Sequence, residues 1–207
     1  MSEIFFIRHA ETDMAGTFCG HSDPELNAKG RSQLTELLRT IRTVEIGAVY
    51  TSDLRRARTT ANAIAKAFGV ECHASPALRE INFGQWEGLG WDEIERRDET
   101  YARRWALEYP YLPARNGENY RDFTRRVLDE VNFLSKEVDR NRCSIAVITH
   151  AGVLRTILTT LQGYSEEDAY ESTKSYCSIV RYNATTSFGP RDYVTARRSM
   201  NESGGTA

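Results

Sequence analysis

The sequence predicts an α/β fold, a three-layer α/β/α sandwich whose central sheet is mainly parallel. Two observations carry this. Short, continuous apolar runs alternate with segments of ten or more residues whose apolar positions recur at helical spacing, the pattern of parallel strands joined by covering helices. The runs are also too uniformly apolar for a sheet with one wet face, so both faces are expected to be covered. At 207 residues the chain can bury one sizeable core. A single domain over residues 1–198 is expected, because no linker, internal repeat or low-complexity segment divides the chain.

"EIFFI" at 3–7 is the first such run. "LNAKGRSQLTELLRTIR" at 26–42 puts Leu34, Leu37, Leu38 and Ile41 on one helical stripe, with Asn27 as the N-cap. "IGAVYTS" at 46–52 reads as a strand ending in hydroxyls. "DLRRARTTANAIAKAFG" at 53–69 carries a stripe of Leu54, Ala57, Ala61, Ile64, Ala65 and Phe68, closed by Gly69. "VECHA" at 70–74 is a weaker strand. Residues 79–118 are irregular, rich in Trp, Tyr and Arg, and read as a lid-like excursion with a helix at 91–108 that "YPYLPARNG" breaks. Tyr120, Phe123, Val127, Val131, Leu134 and Val138 mark the clearest helix, at 119–139. "CSIAVITH" at 143–150 is a buried strand, and "GVLRTILTTL" at 152–161 is a helix closed by Gly163. Strands are expected near 176–183 and 192–196, and "NESGGTA" at the end, 199–207 in the domain division, reads as a disordered tail.

Hydrophobic residues at 40%, charged residues at 27% and a net charge of −2 are those of a soluble globular protein. They leave no global positive field for nucleic acid or an anionic membrane, so an anion site must come from a local cluster of arginines. No apolar stretch approaches the ~18 residues of a spanning helix, and Glu3 interrupts the start, which argues against a secretory signal and for a cytoplasmic protein. Cys19, Cys72, Cys143 and Cys177 are 53, 71 and 34 residues apart, so neither a zinc site nor a disulfide framework is expected. "FCGHSD" around Cys19 also lacks the C-x-x-x-x-x-R form that a cysteine nucleophile would want.

In open α/β sheets, ligands bind beyond the carboxyl ends of the strands. Three runs end there in reactive groups: Arg8-His9, Thr51-Ser52 leading into Arg55, Arg56 and Arg58, and Thr149-His150. Parallel strands would bring all three to one crevice, where imidazoles and guanidinium forks suit a dianion such as a phosphate. The helix beginning at Ala151-Gly152 would point its free N–H groups the same way. His21 and His73 fit ordinary structural roles.

These residues carry a resemblance. "IRHAET" is similar to the R-H-G-E-T signature of the histidine phosphatase (phosphoglycerate mutase-like) superfamily. "YTSDLRRARTTANAIA", "LREINFGQWEGLGWDEI" and "VITHAGVLR" resemble its further motifs in the same order across residues 4–155. Within it, "GTFCGHSDPELNAKG" and "NGENYRDFTRRV" resemble stretches of the α-ribazole phosphatases of cobalamin biosynthesis. The resemblance implies a metal-independent phosphomonoesterase that needs no cofactor. His9 would be the nucleophile that forms a phosphohistidine, and Arg8 and Arg56 the clamp on the phosphoryl oxygens. His150 would be a further donor to them. Glu80 would protonate the leaving oxygen and then activate water, a role for a carboxyl that can hold a proton beside a phosphate dianion. Glu87 is expected to be structural.

The chain departs from the family pattern twice. Ala10 replaces the Gly after the nucleophile, and the loop after Thr12 is short and lacks an Asn that usually contacts phosphate. Thr12 or a backbone group would then replace that contact, with Gly20 and Ala151 completing the phosphate-binding set. The expected substrate is a small phosphate ester, with α-ribazole 5′-phosphate the single best choice. Trp86, Trp91, Trp105, Tyr109 and Tyr111 either wall a ring-bearing leaving group or pack a small core of the excursion. Other readings are another small-metabolite phosphatase, a phosphoglycerate mutase, an inactive interaction protein on this fold and a two-histidine metal hydrolase. The last lacks the carboxylate-rich ligand motifs it would need. The sequence permits a homodimer and points to no nucleic-acid or membrane partner.

Overall fold

A computed structural model describes residues 2–183. The strand expected near 192–196 and the tail at 199–207 lie outside the described residues. Five strands form one sheet in the order β3-β2-β4-β1-β5. They are β1 (Glu3–Arg8), β2 (Ala48–Thr51), β3 (Cys72–Ala74), β4 (Ile145–Thr149) and β5 (Ile179–Asn183). All pairings are parallel except that of β5 with β1, which is antiparallel.

The alternation of side chains along β1 builds two cores. Ile4 and Phe6 face one side, where they pack with Ile145 and Val147 against helices α5 (Tyr120–Asn141) and α6 (Ala151–Gln162). Phe5 and Ile7 face the other, where Ala146 and Ile148 join them against α1 (Ala28–Ile41) and α2 (Arg55–Phe68). Every residue of β4 is buried, as a strand covered on both faces requires. Asn27 caps α1 by accepting from the Gly30 N–H, and Gly69 and Gly163 end α2 and α6 in left-handed conformations.

Two expectations need correction. The helix expected over 91–108 is two, α3 (Trp91–Arg97) and α4 (Glu99–Glu108). Asp98 leaves helical geometry between them and caps α4, accepting from the Tyr101 N–H at 3.1 Å. A local side-chain bond of this kind competes with continuing the helix. A further helix, α7 (Glu166–Thr173), occupies a stretch for which no element was expected. Its signal is the capping pattern Ser165-x-x-Asp168, in which the Ser165 hydroxyl accepts from the Asp168 N–H.

The excursion at 79–118 holds a small third core of Trp86, Ile94, Ala102 and Ala114, with Phe18, Phe83, Trp91 and Trp105 packed against it. Among the described residues no helix is long and apolar enough to cross a membrane.

Candidate active site

β1 and β4 are neighbours in register, with Arg8 opposite Thr149, so the residues that follow them emerge side by side. His9 and His150 are both buried, with ring centroids 5.0 Å apart. The His9 backbone N–H continues the ladder by donating to the Thr149 carbonyl at 2.9 Å.

Two contacts fix the His9 tautomer. Nδ1 lies 2.7 Å from the Ala10 carbonyl oxygen, and Nε2 lies 3.2 Å from the Arg56 Nε. A carbonyl only accepts and a guanidinium only donates, so Nδ1 carries the hydrogen and Nε2 keeps its lone pair. Burial, and then the Arg56 charge, holds the His9 pKa well below the usual histidine range. His150 is depressed likewise, by burial and then by Arg56. Two neutral imidazoles therefore face each other.

Of the three arginines at 55, 56 and 58, Arg56 is the one brought into the site. It is fully buried, and three of its four remaining N–H hydrogens donate to the carbonyls of Cys19, Gly20 and Ser22. Arg55 is exposed and pairs with Glu25, and Arg58 is exposed on α2. Arg8 Nη1 donates to the Thr173 and Lys174 carbonyls at the end of α7, and its guanidinium stacks 4.0 Å over the Tyr176 ring. Tyr176 also approaches His9, with centroids 5.7 Å apart, a neighbour that no feature of the sequence announced.

The other expected residues take varied positions. The Thr12 hydroxyl is buried and accepts from the Met14 N–H. The Gly20 N–H donates to Glu87, and a Cβ at Gly20 would come within 2.1 Å of the Ile81 carbonyl oxygen, so only glycine fits there. Ala151 is the first residue of α6. Glu87 receives the N–H groups of Gly20, His21, Ser22 and Phe83. Burial pushes its pKa up, but these hydrogen bonds outweigh burial and hold it below the usual value. Glu87 thus braces the loop whose carbonyls brace Arg56.

Glu80 is buried against the first turn of α6, two residues beyond His150. One carboxylate oxygen accepts from the Gly152 N–H at 2.9 Å and the other from the Ile81 N–H at 3.0 Å. Three buried nitrogens here have no hydrogen-bond partner: Arg8 Nε and both ring nitrogens of His150. Buried polar groups are usually paired with protein, ordered water or a ligand. Among the described residues, no group of three or more His, Cys, Asp or Glu side chains is arranged to hold a metal ion.

A cavity of about 260 Å³ opens beside Glu80 and Gly152 and runs into the excursion. Phe18, Trp105, Tyr109, Leu112, Tyr120 and Phe123 give it an apolar wall. Of the five aromatics considered for such a wall, Trp105 and Tyr109 line it; Trp86 and Trp91 belong to the third core and Tyr111 is exposed.

Residues 4–188 match the family model described as histidine phosphatase superfamily (branch 1). The chain is 32% identical over 162 residues to the adenosylcobalamin/alpha-ribazole phosphatase of Salmonella typhimurium, covering 76% of this chain and 78% of that protein. It is 33% identical over 162 residues to the metal-independent phosphoserine phosphatase of Arabidopsis thaliana, covering 76% and 67% respectively. Among solved structures, the alpha-ribazole phosphatase from Shigella flexneri superposes with a TM-score of 0.75 at 25% identity, covering 86% of this chain and 89% of that one.

Proposed function

The chain belongs to the histidine phosphatase superfamily, and from that premise we propose that it hydrolyses a small phosphate monoester with a heteroaromatic leaving group, α-ribazole 5′-phosphate. The observation that carries this reading is the aromatic cavity beside Glu80. Its lining suits a flat ring, which aromatic side chains hold by stacking and burial. A serine or glycerate leaving group would leave most of that wall unfilled. The resemblance to α-ribazole phosphatases supports the same choice.

The reaction takes two steps. His9 Nε2 directs its lone pair at phosphorus, in line with the ester bond, and Glu80 gives a proton to the departing oxygen as that bond breaks. The Ala10 carbonyl, 2.7 Å from Nδ1, steadies the ring as it gains positive charge. Water then attacks the phosphohistidine, passing a proton to Glu80, and the P–N bond breaks to release orthophosphate. Arg8, Arg56 and His150 supply the donors that meet the charge on the transferring group, and Arg56 Nε releases the His9 lone pair as it attacks.

The test is a screen of α-ribazole phosphate, phosphoserine, phosphoglycerates and sugar phosphates in the presence of a chelator, with His9→Ala as the control. α-Ribazole phosphate is expected to give the highest kcat/KM, and His9→Ala to lose roughly 10⁴-fold or more in turnover while keeping its fold. Acid-labile phosphate should appear on the native protein and not on the variant. A preference for phosphoserine would overturn the substrate, and an active His9→Ala protein would overturn the mechanism. Turnover only with bisphosphoglycerate would mean a mutase, and no turnover or label at all would mean an interaction protein.

A further inference from the structure

Glu80 does not lie on a strand or helix. It follows a short 3₁₀ turn (Pro76–Leu78), so no ladder fixes its place. Besides the buried Leu78, two side chains from a distant part of the sequence tie down the 77–82 backbone. Arg126, on α5, donates from Nη1 to the carbonyls of Ala77 (2.9 Å) and Arg79 (2.7 Å), and from Nη2 to the carbonyl of Glu80 itself (2.9 Å). Its Nε and its second Nη2 hydrogen go to the two oxygens of Glu118, each at 2.8 Å. A guanidinium has five N–H groups, and here all five are used.

Glu118 closes the frame. Its backbone N–H donates to the Asn82 carbonyl at 2.9 Å, and its carboxylate accepts from the Asn82 N–H at 3.3 Å. Gly117 permits this approach, since a Cβ there would come within 2.7 Å of the Asn82 oxygen. The Phe123 ring supports the guanidinium from below at 4.8 Å. A planar fork can bridge three carbonyls and a carboxylate at once, which an ammonium cannot.

We propose that Arg126, oriented by Glu118, is a positioning residue for the proton transfer at Glu80: it sets the height of the 77–82 backbone and hence where the carboxyl meets the leaving oxygen. The proposal rests on the assignment of Glu80 as proton donor. Arg126 hydrogen-bonds only to this backbone and to Glu118, and it reaches the histidines only as a more distant charge beside His150. Its removal should therefore harm cleavage in proportion to how much the leaving oxygen needs a proton, and should spare capture of the phosphoryl group.

The experiment compares kcat/KM for phenyl phosphate, a poor leaving group, with p-nitrophenyl phosphate, a good one. This ratio reports only steps up to ester cleavage. Arg126→Met is expected to lose about 100-fold on phenyl phosphate and only a few-fold on p-nitrophenyl phosphate. Glu118→Gln should show the same selectivity at smaller size, and it keeps the test open if Arg126→Met fails to fold. In a Glu80→Gln background, Arg126→Met should add almost nothing, because the group it positions is already gone. Inhibition by inorganic phosphate should not change. Equal losses on both esters, or full additivity with Glu80→Gln, would overturn the positioning role. If Glu80→Gln by itself showed no dependence on the leaving group, the assignment of Glu80 would fail instead.

Discussion

His9 and Glu80 are both buried and polar, yet the chain holds them by different means. His9 continues a parallel strand, and its backbone pairs with Thr149 of the neighbouring strand. His150 follows that neighbour, so the two imidazoles inherit their spacing from the strand separation. Glu80 hangs on an irregular segment held by side chains: Arg126 and Glu118 from one direction and the Thr149 hydroxyl, which donates to the Leu78 carbonyl at 2.7 Å, from another. The sheet-borne end is backed by two apolar cores; the loop-borne end reaches one of them through Leu78 and Ile81, and the rest of its anchorage is hydrogen bonds to backbone carbonyls. Variants at the first should couple activity to stability. Variants at the second should separate them.

The sharpest way to break that contrast is Arg56→Met. Arg56 touches His9 and also ties down the carbonyls of Cys19, Gly20 and Ser22. Its loss should cost roughly 10³-fold in kcat/KM, as removal of a preorganised donor to the phosphoryl group does. It should also cost about 3 kcal/mol in stability, because the buried Gly20 carbonyl and the half-buried Cys19 and Ser22 carbonyls lose their partner. Steady-state kinetics and urea unfolding on one preparation measure both. A variant that loses activity at native stability would show that the sheet-borne end is not built as a unit.

Gly152→Ala probes the other end. A Cβ at 152 would come within 2.2 Å of a Glu80 carboxylate oxygen and meets no other group so closely. That carboxylate is the end of a flexible side chain, so it should yield and turn away from the crevice. The expected result is a loss of about 100-fold in kcat/KM on poor leaving groups, with stability within about 1 kcal/mol of native. A large fall in stability with little change in rate would mean that the carboxylate cannot move, and that loop and helix are as rigidly joined as the two strands.

The same division explains what could be read from the sequence. The strands that deliver His9 and His150 announce themselves as continuous apolar runs, and the switch from period 2 to period 3.6 gives the covering helices. Four of the five strands and the α1, α2, α5 and α6 stripes follow from such local patterns, and β5 was also expected, though not its antiparallel pairing with β1. What escaped was set by distant partners or single caps. Asp98 divides one expected helix into two, and α7 rests on a capping pattern. Arg126 stood in a recognisable "FTRRV" stretch, but no spacing rule says that an arginine on one helix will gather carbonyls more than forty residues earlier. Arg8 and Arg56 were expected as phosphate ligands, yet their anchorage on the end of α7 and on the 19–22 loop is a tertiary fact.

The smallest expected effect is a pH dependence of stability led by the two buried histidines of the sheet-borne end. His9 and His150 have folded-state pKa values well below the ordinary 6.5, through burial first and the Arg56 charge second. Well above pH 6.5 neither state protonates them, and they add nothing to the pH dependence. Below it, the unfolded chain takes up protons that the folded protein resists. Stability then falls with pH by up to about 1.4 kcal/mol per unit for each histidine, until pH passes the depressed folded values. His21, half-buried and also depressed, adds to the slope from outside the crevice. Asp53 and Glu87, whose folded values are lowered, contribute stability that is lost only further into the acid range, as pH falls below the usual carboxylate values. Urea unfolding at pH 7.5, 6.5 and 5.5 should thus show a flat limb and then a decline. His150→Asn should reduce that decline by one proton's worth, while Gly152→Ala leaves it unchanged. A native profile that stays flat to pH 5.5 would mean that the crevice accepts a proton freely, and that His9 is not held as the neutral, lone-pair-bearing imidazole that attack on phosphorus requires.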